Sequence, residues 1–194
     1  MACPPVIRLK LNETKKLMTD ESIMEAVKNG ELQQASVLFD RYHKRIFNFL
    51  RQLSNDTMLA EDLTQNVFLR LIKYRNSYRE GNRFQSWIYQ LARNVFADHY
   101  QSNKNKAGTY VDVEKMSDHI SDTEEGIDER EQLLHRSMAK LSDEQRELLV
   151  LTRFQHLKYE EVAVMMDTTV ANIKVKVHRA IGKLREHYFE LEKS

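Results

Sequence analysis

The sequence predicts an all-α protein of two small helical domains joined by a flexible acidic linker, and three observations carry that prediction. Apolar residues recur at three- and four-residue steps through most of the chain, the period of an amphipathic helix. There are only 5 glycines, and both prolines, Pro4 and Pro5, stand at the start, so helices can run unbroken from about residue 19. Residues 101–130 break the period with Gly108, Gly126 and few large apolar side chains. The chain therefore divides into an N-terminal tail (1–18), a first domain (19–100), a linker (101–130) and a second domain (131–194).

Thr19 to Lys28 reads as a short helix with a threonine N-cap and a stop at Gly30. Leu32, Ala35, Leu38, Phe39, Tyr42, Ile46, Phe49, Leu50 and Leu53 then form the wide stripe of a long amphipathic helix. Asn55 or Asp56 caps a third helix striped by Leu59, Leu63, Val67, Phe68, Leu71 and Ile72, which fades near Arg75. A loop at 76–83 leads to a fourth helix marked by Phe84, Trp87, Ile88, Leu91, Ala92 and Val95 and reaching about Tyr100. Four such helices make one bundle. The linker carries four basic residues against eight acidic ones, a net charge of −4. Beyond it, Leu133, Leu134 and Met138 suggest a helix, and Ser142 with Gln145 is a capping box opening another. A short helix over Tyr159–Met166, a turn at Asp167-Thr168-Thr169 and a long helix from Val170 to about Phe189 complete the chain.

Composition narrows the function. The 194 residues hold 30 Lys+Arg against 29 Asp+Glu, a net charge of +1, so a nucleic-acid surface has to come from segregated charge. No two glycines sit close enough for a phosphate-cradling loop, and no Cys/His cluster has zinc spacing. The spacing also lacks Glu-x-x-His and nucleophile motifs, so we expect a non-catalytic protein with no cofactor and no metal. The single cysteine, Cys3, suits a reducing compartment, and with neither an apolar span nor a signal-peptide pattern the expected location is the cytoplasm.

Segregated charge is found on the last helix. Val170, Ile173, Val177, Ala180, Ile181 and Leu184 occupy one arc, while Lys174, Lys176, Arg179, Lys183 and Arg185 lie outside it, with His178 and no acid between Thr169 and Arg185. Preceded by Val162, Ala163 and Met166 and a tight turn, this is the pattern of a helix-turn-helix whose second helix enters the major groove. Its cations would neutralise phosphates, Asn172 could pair with adenine, and Ala171 or Val175 could meet a thymine methyl. A solvated basic helix in a plain bundle is the competing reading.

Two further surfaces stand out. Glu61, Asp62 and Gln65 sit off the Leu63/Val67 stripe, either as a protein-contact face or merely as a solvated one. Arg79, Arg83 and Arg93 interleave with Tyr74, Tyr78, Phe84, Trp87 and Tyr89, which suits stacking of single-stranded bases; alternatively Phe84 and Trp87 are core.

Taken together, these segments resemble bacterial sigma factors of the extracytoplasmic-function group over about residues 19–187. The stretch Ala60 to Leu71 is similar to the segment of region two that docks on RNA polymerase, and Phe84 to Asn94 with Asp98 to the segment that contacts the −10 element. Leu141 to Arg146, Tyr159 to Ala163, Ile173-Lys174, His178-Arg179-Ala180 and Leu184-Arg185 resemble region four. The chain departs from the pattern at Asn66, where the family usually has Glu, and at Ala171-Asn172 and Val175-Lys176.

The resemblance implies a specificity subunit that binds core RNA polymerase and promoter DNA, both duplex and non-template strand. It implies polymerase docking through Glu61, Asp62, Gln65 and Leu69. For −10 strand opening it implies Tyr78, Arg83, Phe84, Arg93 and Asn94, and for the −35 element Ala171, Asn172, Lys174, Val175, Lys176, His178, Arg179 and Lys183. An anti-sigma factor, membrane-linked in many relatives, is a further implied partner. The linker would thread a polymerase channel and mimic nucleic-acid charge. A free-standing DNA-binding regulator and a helical protein-interaction module are the alternatives to this reading.

Overall fold

The computed structural model describes residues 18–106 and 129–193, and no strand occurs among them. Helix α1 (Asp20–Lys28) opens at Thr19, whose hydroxyl accepts the Ser22 amide, and stops at Asn29 before Gly30, whose φ is +105°. A 3-10 turn at Leu32–Gln34 feeds α2 (Ala35–Ser54). The ambiguity over the next cap resolves into two roles. Asn55 is left-handed (φ 54°) and closes α2, whereas the Asp56 carboxylate accepts the Leu59 amide and opens α3 (Thr57–Lys73). A 3-10 turn at Arg75–Ser77 and an extended loop lead to α4 (Phe84–Lys106).

Helix α4 runs six residues beyond the expected end near Tyr100, so the start of the expected linker is helical. Nothing between Tyr100 and Lys106 is a proline or glycine, and the helix period needs no apolar residue to continue once begun. At its other end the expected linker is helical too, since Glu129 and Arg130 already belong to the next helix; residues 107–128, with all but one of the linker's acidic residues, and the tail before Met18 lie outside the described residues.

The four helices enclose Ile23, Met24, Leu38, Ile46, Phe49, Leu50, Val67, Leu71, Ile88 and Ala92, all fully buried. Aromatic rings meet edge to face at the centre: Tyr42 with Phe84 (5.1 Å), Phe49 with Tyr89 (5.2 Å) and Tyr78 with Trp87 (5.5 Å). Three residues of the expected stripes point outward instead, namely Leu32, Phe39 and Ile72. Phe39 stacks on His43 and meets Phe68 edge-on, which covers part of its ring at the α2/α3 seam.

The buried tyrosines link this core to pH. Burial, then the hydrogen bond and charge of Asp20, push the Tyr42 hydroxyl far above its ordinary range, and burial does the same at Tyr89. Tyr78 is pushed up to about 12 by burial and by the charges of Glu21, Glu25 and Asp20. Folded values above the unfolded value of about 10 mean stability is complete below that pH and is lost as pH climbs through the folded values. In an alkaline titration, tyrosinate absorbance from these phenols should therefore rise together with loss of helical circular dichroism. Ionisation of every tyrosine in one step near pH 10, with helix content unchanged, would contradict this packing.

The second domain comprises α5 (Glu129–Ala139), α6 (Asp143–Leu149), a π-helical turn (Val150–Phe154), α7 (Tyr159–Met165) and α8 (Val170–Glu192). The capping box is formed: Ser142 Oγ accepts the Gln145 amide and Gln145 Oε1 accepts the Ser142 amide. Arg146 donates to the carbonyls of Met138, Ala139 and Leu141, satisfying the open end of α5. Leu148, Leu149, Val150, Leu151, Val162, Ile173, Val177 and Ala180 build the core, while Phe154 is half exposed at the end of the π turn.

Candidate nucleic-acid and polymerase interfaces

The helix-turn-helix is α7, the turn Met166–Thr169, and α8. Left-handed Asp167 (φ 49°) reverses the chain, and the Thr168 amide returns to the Ala163 carbonyl at 2.9 Å. Thr169 then caps α8 by accepting the Asn172 amide at 3.2 Å. The apolar arc of α8 is buried as its period requires, with Ile173, Val177 and Ala180 at 0–1% exposure and Val170, Ile181 and Leu184 packed against them. That burial fixes what faces solvent.

Ala171, Asn172, Lys174, Val175, His178, Arg179 and Lys183 are all exposed, and Lys176 is partly so. Three of them already have partners within the domain. Lys176 Nζ meets Glu144 at 2.5 Å, Lys183 meets Glu186 at 2.6 Å, and Asn172 Nδ2 donates to Thr168 Oγ1 at 2.8 Å. Lys174 and Arg179 project without such a pairing and are the cations most directly available to a phosphate.

On the first domain, Glu61, Asp62, Gln65 and Leu69 share one exposed face of α3, and Leu69 is 69% exposed. Met58, and Ile72 from the expected buried stripe, extend this face with apolar surface. Beside it Asn66 Oδ1 accepts from Arg70 Nε at 3.2 Å, and Arg70 also holds Asp98 at 2.5 Å. The Asn that departs from the family pattern is thus part of a bridge from α3 to α4.

The residues expected to act on an opened strand fall into two groups. Tyr78 and Phe84 are 1% and 0% exposed, so neither ring offers a face to a stacking base; Phe84 lies in the core, as the alternative reading has it, and Tyr78, which that reading leaves out, is buried beside it. Trp87 packs against that core with partial exposure. Arg83 and Asn94 are exposed and Arg93 is partly so.

Both arginines are engaged across the seam between the domains. Arg93 Nε meets Glu147 Oε1 at 2.5 Å and its Nη1 donates to the Met165 carbonyl at 2.7 Å; Arg83 Nη1 meets Glu161 Oε1 at 3.0 Å. Burial alone would raise the Glu161 carboxyl, but the Lys158 amide and the Arg83 guanidinium outweigh it and hold it below its ordinary value. Gln85 donates to the Gln155 carbonyl, Tyr89 hydrogen-bonds the Gln155 side chain, and Arg146 reaches the Leu53 carbonyl. A cleft of about 300 Å³ opens along this seam between Arg93, Asn94, Asp143 and Glu147. Periodicity gives no sign of Glu147 or Gln155; Glu161 belongs to the Tyr159 to Ala163 segment that resembles region four, but its arginine partner is 78 residues away.

Among the described residues no group of three or more His, Cys, Asp or Glu could hold a metal ion, and no helix is long and apolar enough to cross a membrane.

Comparison with known proteins accounts for this pairing of a four-helix bundle with a basic helix-turn-helix. The family model for Sigma-70 region 2 matches residues 38–106, and that for Sigma-70, region 4 matches residues 131–184. The chain belongs to the sigma-70 family of RNA polymerase sigma factors, within its extracytoplasmic-function (ECF) group. It is 29% identical over 171 residues to RNA polymerase sigma factor CarQ of Myxococcus xanthus, covering 87% of this chain and 97% of that protein. It is 28% identical over 152 residues to ECF RNA polymerase sigma factor SigM of Bacillus subtilis, covering 78% and 93%. The fold is shared with the solved structure of CnrH in complex with the cytosolic domain of CnrY, at TM-score 0.65 and 16% identity over 86% of this chain and 95% of that one. It is shared also with the sigma factor RpoE bound to the anti-sigma factor NepR from Bartonella quintana, at TM-score 0.62 and 22% identity over 77% and 92%.

Proposed function

We propose that this chain binds core RNA polymerase and directs promoter-specific initiation, reading the −35 element as duplex with α8 and assisting the opening of the −10 element with the first domain. The observation that carries the reading is α8 itself, with one arc buried and, from Val170 through Arg185, basic residues and no acid on the remaining surface, which suits a helix that enters the major groove. Lys174, Lys176, Arg179 and Lys183 take phosphates, and Asn172, Ala171, Val175 and His178 lie toward base edges. As a specificity subunit the chain needs no reactive side chain of its own. Run-off transcription with core polymerase on a randomised promoter library tests this: a selected −35/−10 pair is expected, and operator binding by the isolated chain with no redirected transcript would refute it.

Polymerase docks on the exposed α3 face of Glu61, Asp62, Gln65 and Leu69. Asp62→Ala with Gln65→Ala should weaken binding to core polymerase by about tenfold, the order expected for two polar contacts in an interface. Helical circular dichroism should be unchanged, since both side chains are exposed. Undiminished affinity would mean the face is only solvated. An anti-sigma factor is a further partner, a reading supported by the likeness to RpoE in its complex with NepR.

Strand opening falls to the exposed loop before Phe84 together with Arg83, Arg93 and Asn94, with Tyr78 and Phe84 supporting that surface from below. Unpairing a base costs about a few kcal/mol, which contacts to the extruded strand offset. Arg93 and Arg83 cannot serve Glu147, Glu161 and DNA at once, so the domains part when promoter phosphates replace the two carboxylates. These pairs are partly solvated, and the effect of neutralising them is correspondingly modest. Glu147→Gln with Glu161→Gln should speed promoter-complex formation by about threefold and enlarge the free chain in small-angle scattering. An unchanged size and rate would show that the seam does not compete with DNA.

A further inference from the structure

Helix α1 fastens the loop 78–83 at both ends. At one end Lys28 Nζ donates to the Tyr78 carbonyl at 3.1 Å; at the other Glu21 Oε1 accepts the Phe84 amide at 3.1 Å. Glu21 thereby satisfies one of the open amides of the 23-residue α4 and places a negative charge at that helix's positive end. The two clamping residues are seven apart, two turns on one face of α1 and about 10 Å along its axis. Six extended steps would span about 20 Å, so the clamped segment has to fold back on itself.

The interior of the loop is built for that. The Tyr78 hydroxyl donates to the Asn82 carbonyl at 2.5 Å, the Asn82 amide returns to the Arg79 carbonyl at 3.2 Å, and Gly81 takes a φ of +85° that disfavours any side chain. Tyr78 is buried, while Arg79, Glu80, Gly81, Asn82 and Arg83 are exposed. The clamp in turn stands on a fixed support, because Asp20 accepts from the Tyr42 hydroxyl and from Arg41, each at 2.5 Å, tying α1 to α2.

We propose that Glu21 and Lys28 are positioning residues for promoter selection, holding the 79–83 tip in the one shape that receives an extruded −10 base. The inference rests on the reading of this loop as part of the −10 surface and goes beyond it by assigning two residues of α1 that touch no DNA. Neither residue lies in the segments matched to the family's promoter-contacting motifs. A loop anchored at one end only would sample many tip shapes, and discrimination between bases would fall before binding itself did.

The test uses the full chain with core RNA polymerase on a duplex library randomised across the −10 and −35 segments. Glu21→Ala with Lys28→Ala should reduce the preference for the best over the worst −10 base by about fivefold, the scale of one or two lost charge-assisted hydrogen bonds. Preference at −35 should stay at the wild-type level, the melting temperature should fall only by the small amount that loss of one helix-end cap brings, and Lys28→Arg with native Glu21 should retain the −10 preference. Arg79→Ala with Asn82→Ala serves as the control for the loop. If the loop variant alters −10 preference and the α1 variant does not, the clamp is dispensable and the proposal falls. If neither alters it, the loop is not the reader and the −10 assignment falls with it. If −10 and −35 preferences decline together with melting temperature, α1 acts through overall stability, and the positioning role is overturned.

Discussion

Alanine at both Lys174 and Arg179 should lower affinity for a selected promoter by about tenfold at moderate salt and reduce the salt dependence of binding by about two counterions. Each of these cations projects from α8 outside its buried arc, and neither is neutralised by an acid of the domain, in contrast to Lys176 with Glu144 and Lys183 with Glu186. Replacing them removes charge with no loss of packing, because Ile173, Val177 and Ala180 hold the helix. A titration of holoenzyme against labelled promoter at several salt concentrations separates the outcomes. A lower slope with base preference retained means phosphate contact. An unaltered slope in the double variant would remove α8 from the groove. The same substitutions at Lys176 and Lys183 should do less, since those cations must first leave a carboxylate.

Phe84→Ala should destabilise the first domain by about 3 to 5 kcal/mol, a large share of the roughly 5 to 15 kcal/mol that holds a typical domain folded. Phe84 is fully buried and its ring lies among those of Tyr42, Tyr78 and Trp87. Truncation leaves a cavity under the very loop that α1 clamps, so −10 discrimination should decline in step with the fall in denaturation midpoint. Phe84→Leu retains most of the volume and should cost much less. A ring that stacked on DNA would behave in the opposite way: alanine would spare the denaturation midpoint and abolish strand capture. Urea unfolding followed by circular dichroism, set beside transcription from the selected promoter, decides between a core ring and a contact ring.

The helices were legible because their signals are local. Thr19, Asp56, Ser142 and Thr169 accept amides three residues on, and the stripes of α2 and α8 repeat within a turn, so each is decided by neighbours in sequence. Where the reading stopped short, the missing fact was a partner. Asn55 and Asp56 are equally good caps on paper, and only the left-handed backbone at Asn55 assigns one to the end of α2 and the other to the start of α3. Tyr78 and Phe84 read as well on a surface as in a core, because an aromatic ring is apolar enough for one and flat enough for the other.

What the amino-acid sequence determined alone is the pair of helical domains and the division of α8, as far as Arg185, into an apolar arc and an acid-free basic remainder, since 3.6-residue periodicity is a property of a single segment. Tertiary structure decided which charges remain available. Arg93 finds Glu147 54 residues away, Arg83 finds Glu161, and Glu21 finds the first amide of α4, leaving Lys174 and Arg179 facing solvent. The physical reason is that a helix period fixes the direction of a side chain but not what stands opposite it, and in ion pairing the opposite group determines whether a cation is spent within the fold or kept for DNA.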